Sequence, residues 1–270
     1  MESAFISVNQ HQLYLLSAKS QTGSAVATLL LPPFAEEMNK CRHLFRQLMV
    51  QLANSTASDV FLLDPYGTGD SAGDLTDTTA LVWRQDYLSF IESLKTQGYQ
   101  SINFVAVRFG VMQLLDLLTE PLPLPLNKLV LWQPQLAAGS FLQQFFRVKI
   151  AEQMALGEKL SQKQIESWLQ QGETVEIAGY PLQQQLVDSI LALKAAVHSS
   201  YQQTPLLWLE TSNLPNISVV AQKNIDMLKQ YFTVEYQQLN DAPYWSAQEL
   251  VRADLLINST VLFLESGHVA

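Results

Sequence analysis

The chain has 270 residues, 48% hydrophobic and 15% charged, with 16 Lys and Arg against 25 Asp and Glu for a net charge of −9. That balance excludes a disordered chain and offers no basic stripe to a nucleic-acid backbone, and the single cysteine, Cys41, excludes an internal disulfide. Eleven glycines are few for a chain that would cradle phosphates on a glycine-rich loop.

The opening residues, Met1-Glu2-Ser3-Ala4-Phe5, carry neither the basic nor the apolar stretch of a secretory leader, and prolines interrupt the longest apolar runs well short of a membrane span. A cytoplasmic protein with no membrane insertion and no nucleic-acid partner is expected. Alternation over 5–8 and 13–16 predicts an opening hairpin, and the apolar run 25–31, closed by Pro32-Pro33, a buried strand. Met38, Cys41, Phe45, Leu48 and Leu52 then recur at helical spacing. A strand over 59–64 leads into the turn-rich loop 65–73, followed by a helix over 82–95 and a strand over 102–107. That strand runs directly into 109–118, apolar nearly all round and so a buried helix. Pro121, Pro123 and Pro125 stiffen the approach to a strand over 128–132. Residues 138–203 show three helical patterns and no convincing strand. A strand (206–209), a helix (217–231), a strand (233–239) and a long helix (246–264) close the chain.

Strand–helix alternation predicts a mostly parallel sheet covered on both faces, with 138–203 inserted as a helical lid into one domain spanning 1–270. Ligands of such sheets bind beyond the carboxyl ends of the strands. The candidate pocket residues are therefore Phe34, Asn39, Lys40, Arg108, Gln133, Glu210, Tyr244 and Trp245, with Glu36, Glu37 and Ser71 as the candidates for chemistry.

The order of elements resembles the α/β-hydrolase fold: an opening hairpin, an eight-stranded sheet and a helical insert after the sixth strand. Asp64-Pro65-Tyr66-Gly67-Thr68-Gly69-Asp70-Ser71 looks like that fold's D-x-x-G-x-G-x-S loop. More narrowly, Pro33-Phe34-Ala35-Glu36-Glu37-Met38-Asn39-Lys40, Leu131-Trp132-Gln133-Pro134 and Val175-Glu176-Ile177-Ala178-Gly179-Tyr180-Pro181-Leu182 resemble the second hydrolase-like family associated with exosortase A systems. The resemblance implies a bacterial protein accompanying exopolysaccharide and protein-sorting functions.

A hydrolase of this fold needs a nucleophile on a strand-to-helix turn, a histidine, and a carboxylate to orient it. The turn here is Val105-Ala106-Val107-Arg108-Phe109-Gly110, with arginine in the nucleophile's place. A guanidinium has no lone pair with which to attack a carbonyl. The loop after the last strand, Asp241-Ala242-Pro243-Tyr244-Trp245, offers Tyr244 or Pro243 where the histidine belongs, and His11, His43, His198 and His268 lie elsewhere. Gly69-Asp70-Ser71-Ala72-Gly73 spells G-x-S-x-G, but its serine falls well past the end of its strand and is expected to tie down the turn. No Cys/His/Asp cluster has zinc spacing, so neither metal nor cofactor is expected. Two roles are open to Arg108: a buried pair with Glu36 or Glu37, or a fork for a carboxylate or phosphate. Two functions stay open as well. One is a binding or accessory protein for an anionic or acyl/lipid-linked ligand, held by Arg108 or by an apolar pocket that the lid's Phe141, Phe145 and Phe146 would line. The other is a hydrolase, esterase-like, with a non-standard constellation such as a glutamate base.

Overall fold

Two strands, β1 (Glu2–Val8) and β2 (His11–Ala18), open the chain in antiparallel register, Phe5 facing Tyr14. Asn9 and Gln10 join them with φ of 48° and 71°, the left-handed pair that suits a two-residue hairpin turn. The computed structural model describes residues 1–21, 23–55, 58–247 and 249–266. β3 (Val26–Leu31), α1 (Glu36–Asn54), β4 (Asp59–Leu63), α2 (Ala80–Thr96), β5 (Ser101–Val107), α3 (Gly110–Leu117) and β6 (Leu126–Trp132) follow. After them come α4 (Ala138–Ala155), α5 (Gln162–Gln170), β7 (Val175–Ile177), β8 (Tyr180–Leu182) and α6 (Gln184–Leu191). β9 (Thr204–Thr211), α7 (Val219–Leu228), β10 (Phe232–Leu239) and α8 (Asp254–Glu265) complete the chain.

The main sheet runs β1-β2-β4-β3-β5-β6-β9-β10, parallel from β4 onward. Its central strands are buried on both faces, which is why β4 reads as an unbroken apolar run rather than an alternation. Leu30, Val60, Val105 and Leu207 face one side, where α1 and α8 lie; Leu29, Phe61, Phe104 and Leu206 face the other, with α2, α3, α7 and the α4–α6 segment. The α1 stripe Met38, Cys41, Phe45, Leu48 and Leu52 is buried, as its spacing requires. No helix among the described residues is long and apolar enough to cross a membrane.

Two elements depart from the sequence reading. Residues 138–203 do contain strands, the antiparallel hairpin β7–β8, whose Ala178-Gly179 turn has φ of 51° and 83°. Three-residue strands with Pro181 in one of them leave too short a periodicity to detect. The last helix begins at Asp254 rather than near 246. The Asp241 carboxylate accepts the Leu256 N–H at 3.0 Å, satisfying the first turn from outside the helix, and the Val251 carbonyl accepts from His43 Nε2 at 2.7 Å.

Candidate functional site

The carboxyl edge of the parallel strands collects backbone strain. Ala35 after β3, Arg108 after β5 and Gln133 after β6 have φ of 55°, 53° and 44°. Left-handed geometry at a residue other than glycine costs about 1–3 kcal/mol, and such residues gather at functional sites. At Arg108 this is the sharp strand-to-helix turn that would present a nucleophile. Gly110 makes the turn possible, since a Cβ there would sit against the Leu31 carbonyl oxygen and 2.7 Å from that of Pro32. The elbow is intact, and its apex is a cation.

Arg108 is held along one edge and over one face of its guanidinium. Its Nε and Nη2 donate to the two carboxylate oxygens of Glu37 at 3.2 and 2.9 Å, and its guanidinium carbon lies 4.9 Å from the centre of the Trp245 ring. The side chains are 13% and 26% exposed, so the pair is shielded without being sealed. α1 explains the choice between the two glutamates. Glu37 precedes Cys41 by four residues and shares the helix's buried stripe, whereas Glu36 points about 100° away. Glu36 instead accepts from Asn39 at 3.2 Å and from the Tyr180 hydroxyl at 3.4 Å, and Asn39 also donates to Tyr180 at 3.0 Å. Behind the pair, burial pushes the Cys41 thiol far up, the Glu37 charge adding to it. The Tyr244 hydroxyl, on the loop where a histidine would stand, is likewise raised by burial and has no hydrogen-bond partner among the described residues. Its ring packs edge-on against Trp132 and Trp245.

The remaining sequence candidates are dispersed. Ser71 Oγ donates to the Asp64 carbonyl at 2.7 Å and accepts the Tyr14 N–H at 2.8 Å, stitching the loop to β2. Asp64 itself accepts from Arg42 at 2.7 Å and from the Asp70 N–H at 2.9 Å, and burial holds its carboxyl above the usual range against those bonds. Gln133 uses its amide oxygen to cap the Thr211 N–H at 2.8 Å. Glu210 lies in a separate recess of about 90 Å³ with Gln133, Trp208 and Asn224, and burial raises its carboxyl, whose Oε2 has no hydrogen-bond partner among the described residues. His11 donates Nδ1–H to the buried Asp86 at 2.9 Å and stacks on Tyr66; His198 caps a turn through Ser200; His268 lies outside the described residues. None of the described histidines bonds Ser71, Arg108 or Glu210.

Two cavities flank Phe34, whose ring packs against Trp83, Phe109, Phe141 and Phe145. One, of about 260 Å³, lies between α4 and Trp245 with Glu37 and Lys40 on its wall; Lys40 forms no ion pair among the described residues. The other, of about 240 Å³, opens between the β4 loop, Ala35, the start of α3 and the β7–β8 hairpin. Of this second cavity's lining the sequence candidates included only Phe34, Asn39 and Ser71; among the residues missed are Tyr180 and Gln113. Tyr180 is carried on the undetected hairpin. Gln113 had a signal, being the one amide in a helix whose only other polar side chain, Asp116, pairs with Arg84 at 3.3 Å.

No protein-family model matches the chain, and no curated protein matches it in sequence. Solved structures do match. Est1E of Butyrivibrio proteoclasticus, solved with ferulic acid bound, superposes with a TM-score of 0.64 at 12% identity over 97% of each chain. The enol-lactonase of Burkholderia xenovorans gives 0.60 at 15% identity, over 97% of this chain and 99% of that one. Mouse alpha/beta hydrolase domain-containing protein 10 gives 0.54 at 13%, over 98% and 97%. At these identities the likeness concerns the backbone alone. The eight-stranded, mostly parallel sheet, the strand order and the retained elbow give this chain the α/β-hydrolase fold.

Proposed function

We propose that this hydrolase-like protein works without Ser-His-Asp chemistry, as a binding or accessory component of the exosortase- and exopolysaccharide-associated type that its sequence resembles. The observation that carries this reading is the apex of the elbow, where Arg108 is clamped by Glu37 beneath Trp245. Neither glutamate considered as a base is free among the described residues: Glu37 has both oxygens on Arg108, and Glu36 is shared between Asn39 and Tyr180. The ligand proposed is an anionic, acyl or lipid-linked molecule in the chamber between α4 and Trp245. There Phe141, Phe145 and Val148 offer an apolar wall to a chain, and Lys40 offers a cation to a headgroup.

A fluorophosphonate probe and a panel of p-nitrophenyl esters test the chemistry. Neither labelling nor turnover is expected, and Arg108→Ser is expected to stay inert because none of the described histidines, His11, His43 and His198, bonds at the elbow. Labelling abolished by Ser71→Ala, or turnover abolished by Glu210→Gln, would overturn the reading. Binding is tested with dodecyl phosphate followed by tryptophan fluorescence, with the response expected to disappear in Trp245→Phe.

A further inference from the structure

We infer that the cavity on the other side of Phe34 is a second binding site, for an uncharged, flat ligand with an amide edge (a carboxamide or lactam) read by Gln113. Gln113 is 5% exposed, lines this cavity, and its amide makes no hydrogen bond to any described residue. Buried amides are rarely left unmade, and one that faces a cavity calls for a ligand with complementary groups. A side-chain carboxamide offers an acceptor and two donors from one plane, and a second amide presents the matching pair.

The rest of the cavity narrows the chemistry. Trp83, Phe109 and Phe34 supply flat apolar walls, which suit a planar body. The backbone N–H groups of Ala35 and Phe109, both in the lining, donate to no described residue and remain for a carbonyl oxygen. Among the described residues no cation lines the cavity. The nearby Arg42 is tied to Asp64 behind Gly69, and the only lining carboxylate among the described residues, Asp74, caps the short helical turn Leu75–Asp77. An anion would find those two N–H groups but no charged side chain among the described lining residues free to balance it, whereas a neutral amide also matches the donors and acceptor of Gln113. The volume of about 240 Å³ suits a single ring with its amide rather than a chain. This site shares Phe34 with the chamber over Arg108 but none of that chamber's charged residues.

The test is a ligand-observed NMR titration of the full chain with benzamide, and with benzoate as its charged counterpart. Benzamide is expected to bind at least about tenfold more tightly than benzoate, and Gln113→Met to weaken it at least about tenfold. Gln113→Met keeps length and volume; a thermal melt as high as the parent's, with an unchanged dodecyl phosphate response, shows that the fold and the other chamber survive. Gln113→Glu provides a second variant and is expected to lose benzamide as well. Absence of benzamide binding at millimolar concentration, equal binding of benzoate, or an undiminished affinity in both variants would each overturn the inference. Failure of the accessory reading is scored separately, by covalent labelling or ester turnover.

Discussion

Arg108 and Glu37 invite a double-mutant cycle, because the geometry fixes what each variant removes. Arg108→Ala deletes two charge-assisted bonds, at 3.2 and 2.9 Å, and the contact with Trp245. A fully buried pair broken on one side costs about 3–5 kcal/mol and an exposed pair less than about 1. Side chains 13% and 26% exposed lie between these limits, which places the coupling at about 2 kcal/mol. The lost cation–π contact adds about 0.5–1 kcal/mol, so Arg108→Ala should destabilise by roughly 2.5–3 kcal/mol. Arg108→Gly removes the same groups but relieves the left-handed strain at φ 53°, and should lose about 1 kcal/mol less. Urea unfolding followed by circular dichroism measures all three, with Glu37→Gln and the double variant closing the cycle. A coupling under about 0.5 kcal/mol, or a glycine variant no more stable than the alanine one, would refute the reasoning.

Gly110→Ala should destabilise by about 3 kcal/mol in the same assay, because the new Cβ meets backbone oxygens of Leu31 and Pro32 that cannot rotate away; a loss under about 1 kcal/mol would show that the elbow gives. Glu210 offers a pH test. Burial raises its carboxyl in the folded protein, so the folded state holds that proton more tightly than the unfolded chain, and stability is lost as pH rises above the ordinary glutamate value of about 4.3. Glu210→Gln never ionises, and should gain thermal stability over the parent at about pH 7 but not at about pH 4; the reverse order would contradict the sign.

How much of this was legible depends on the range of the interaction. Strands buried on both faces and the α1 stripe are local patterns, and their elements fall where the sequence puts them to within a few residues. The arginine at the elbow was visible because the turn follows its strand without a gap. Its partner was narrowed only to two adjacent glutamates, although helix geometry discriminates between them once Cys41 is taken as the inward reference. The start of α8 was missed because it depends on Asp241, fifteen residues before the Leu256 N–H that it accepts, and on His43 from another helix. The hairpin β7–β8 exists by tertiary support, with Tyr180 anchored to α1, and no three-residue strand announces that.

Phe34 has a thermodynamic consequence. A single ring forms a wall of both cavities and is held there by Trp83, Phe109, Phe141 and Phe145. A ligand that pushed this ring aside to enlarge its own chamber would take volume from the other, so two such ligands would be antagonists without ever touching. Linkage makes that antagonism symmetric: the factor by which the first weakens the second is the factor by which the second weakens the first. One side chain would then set the sign of communication between the two chambers.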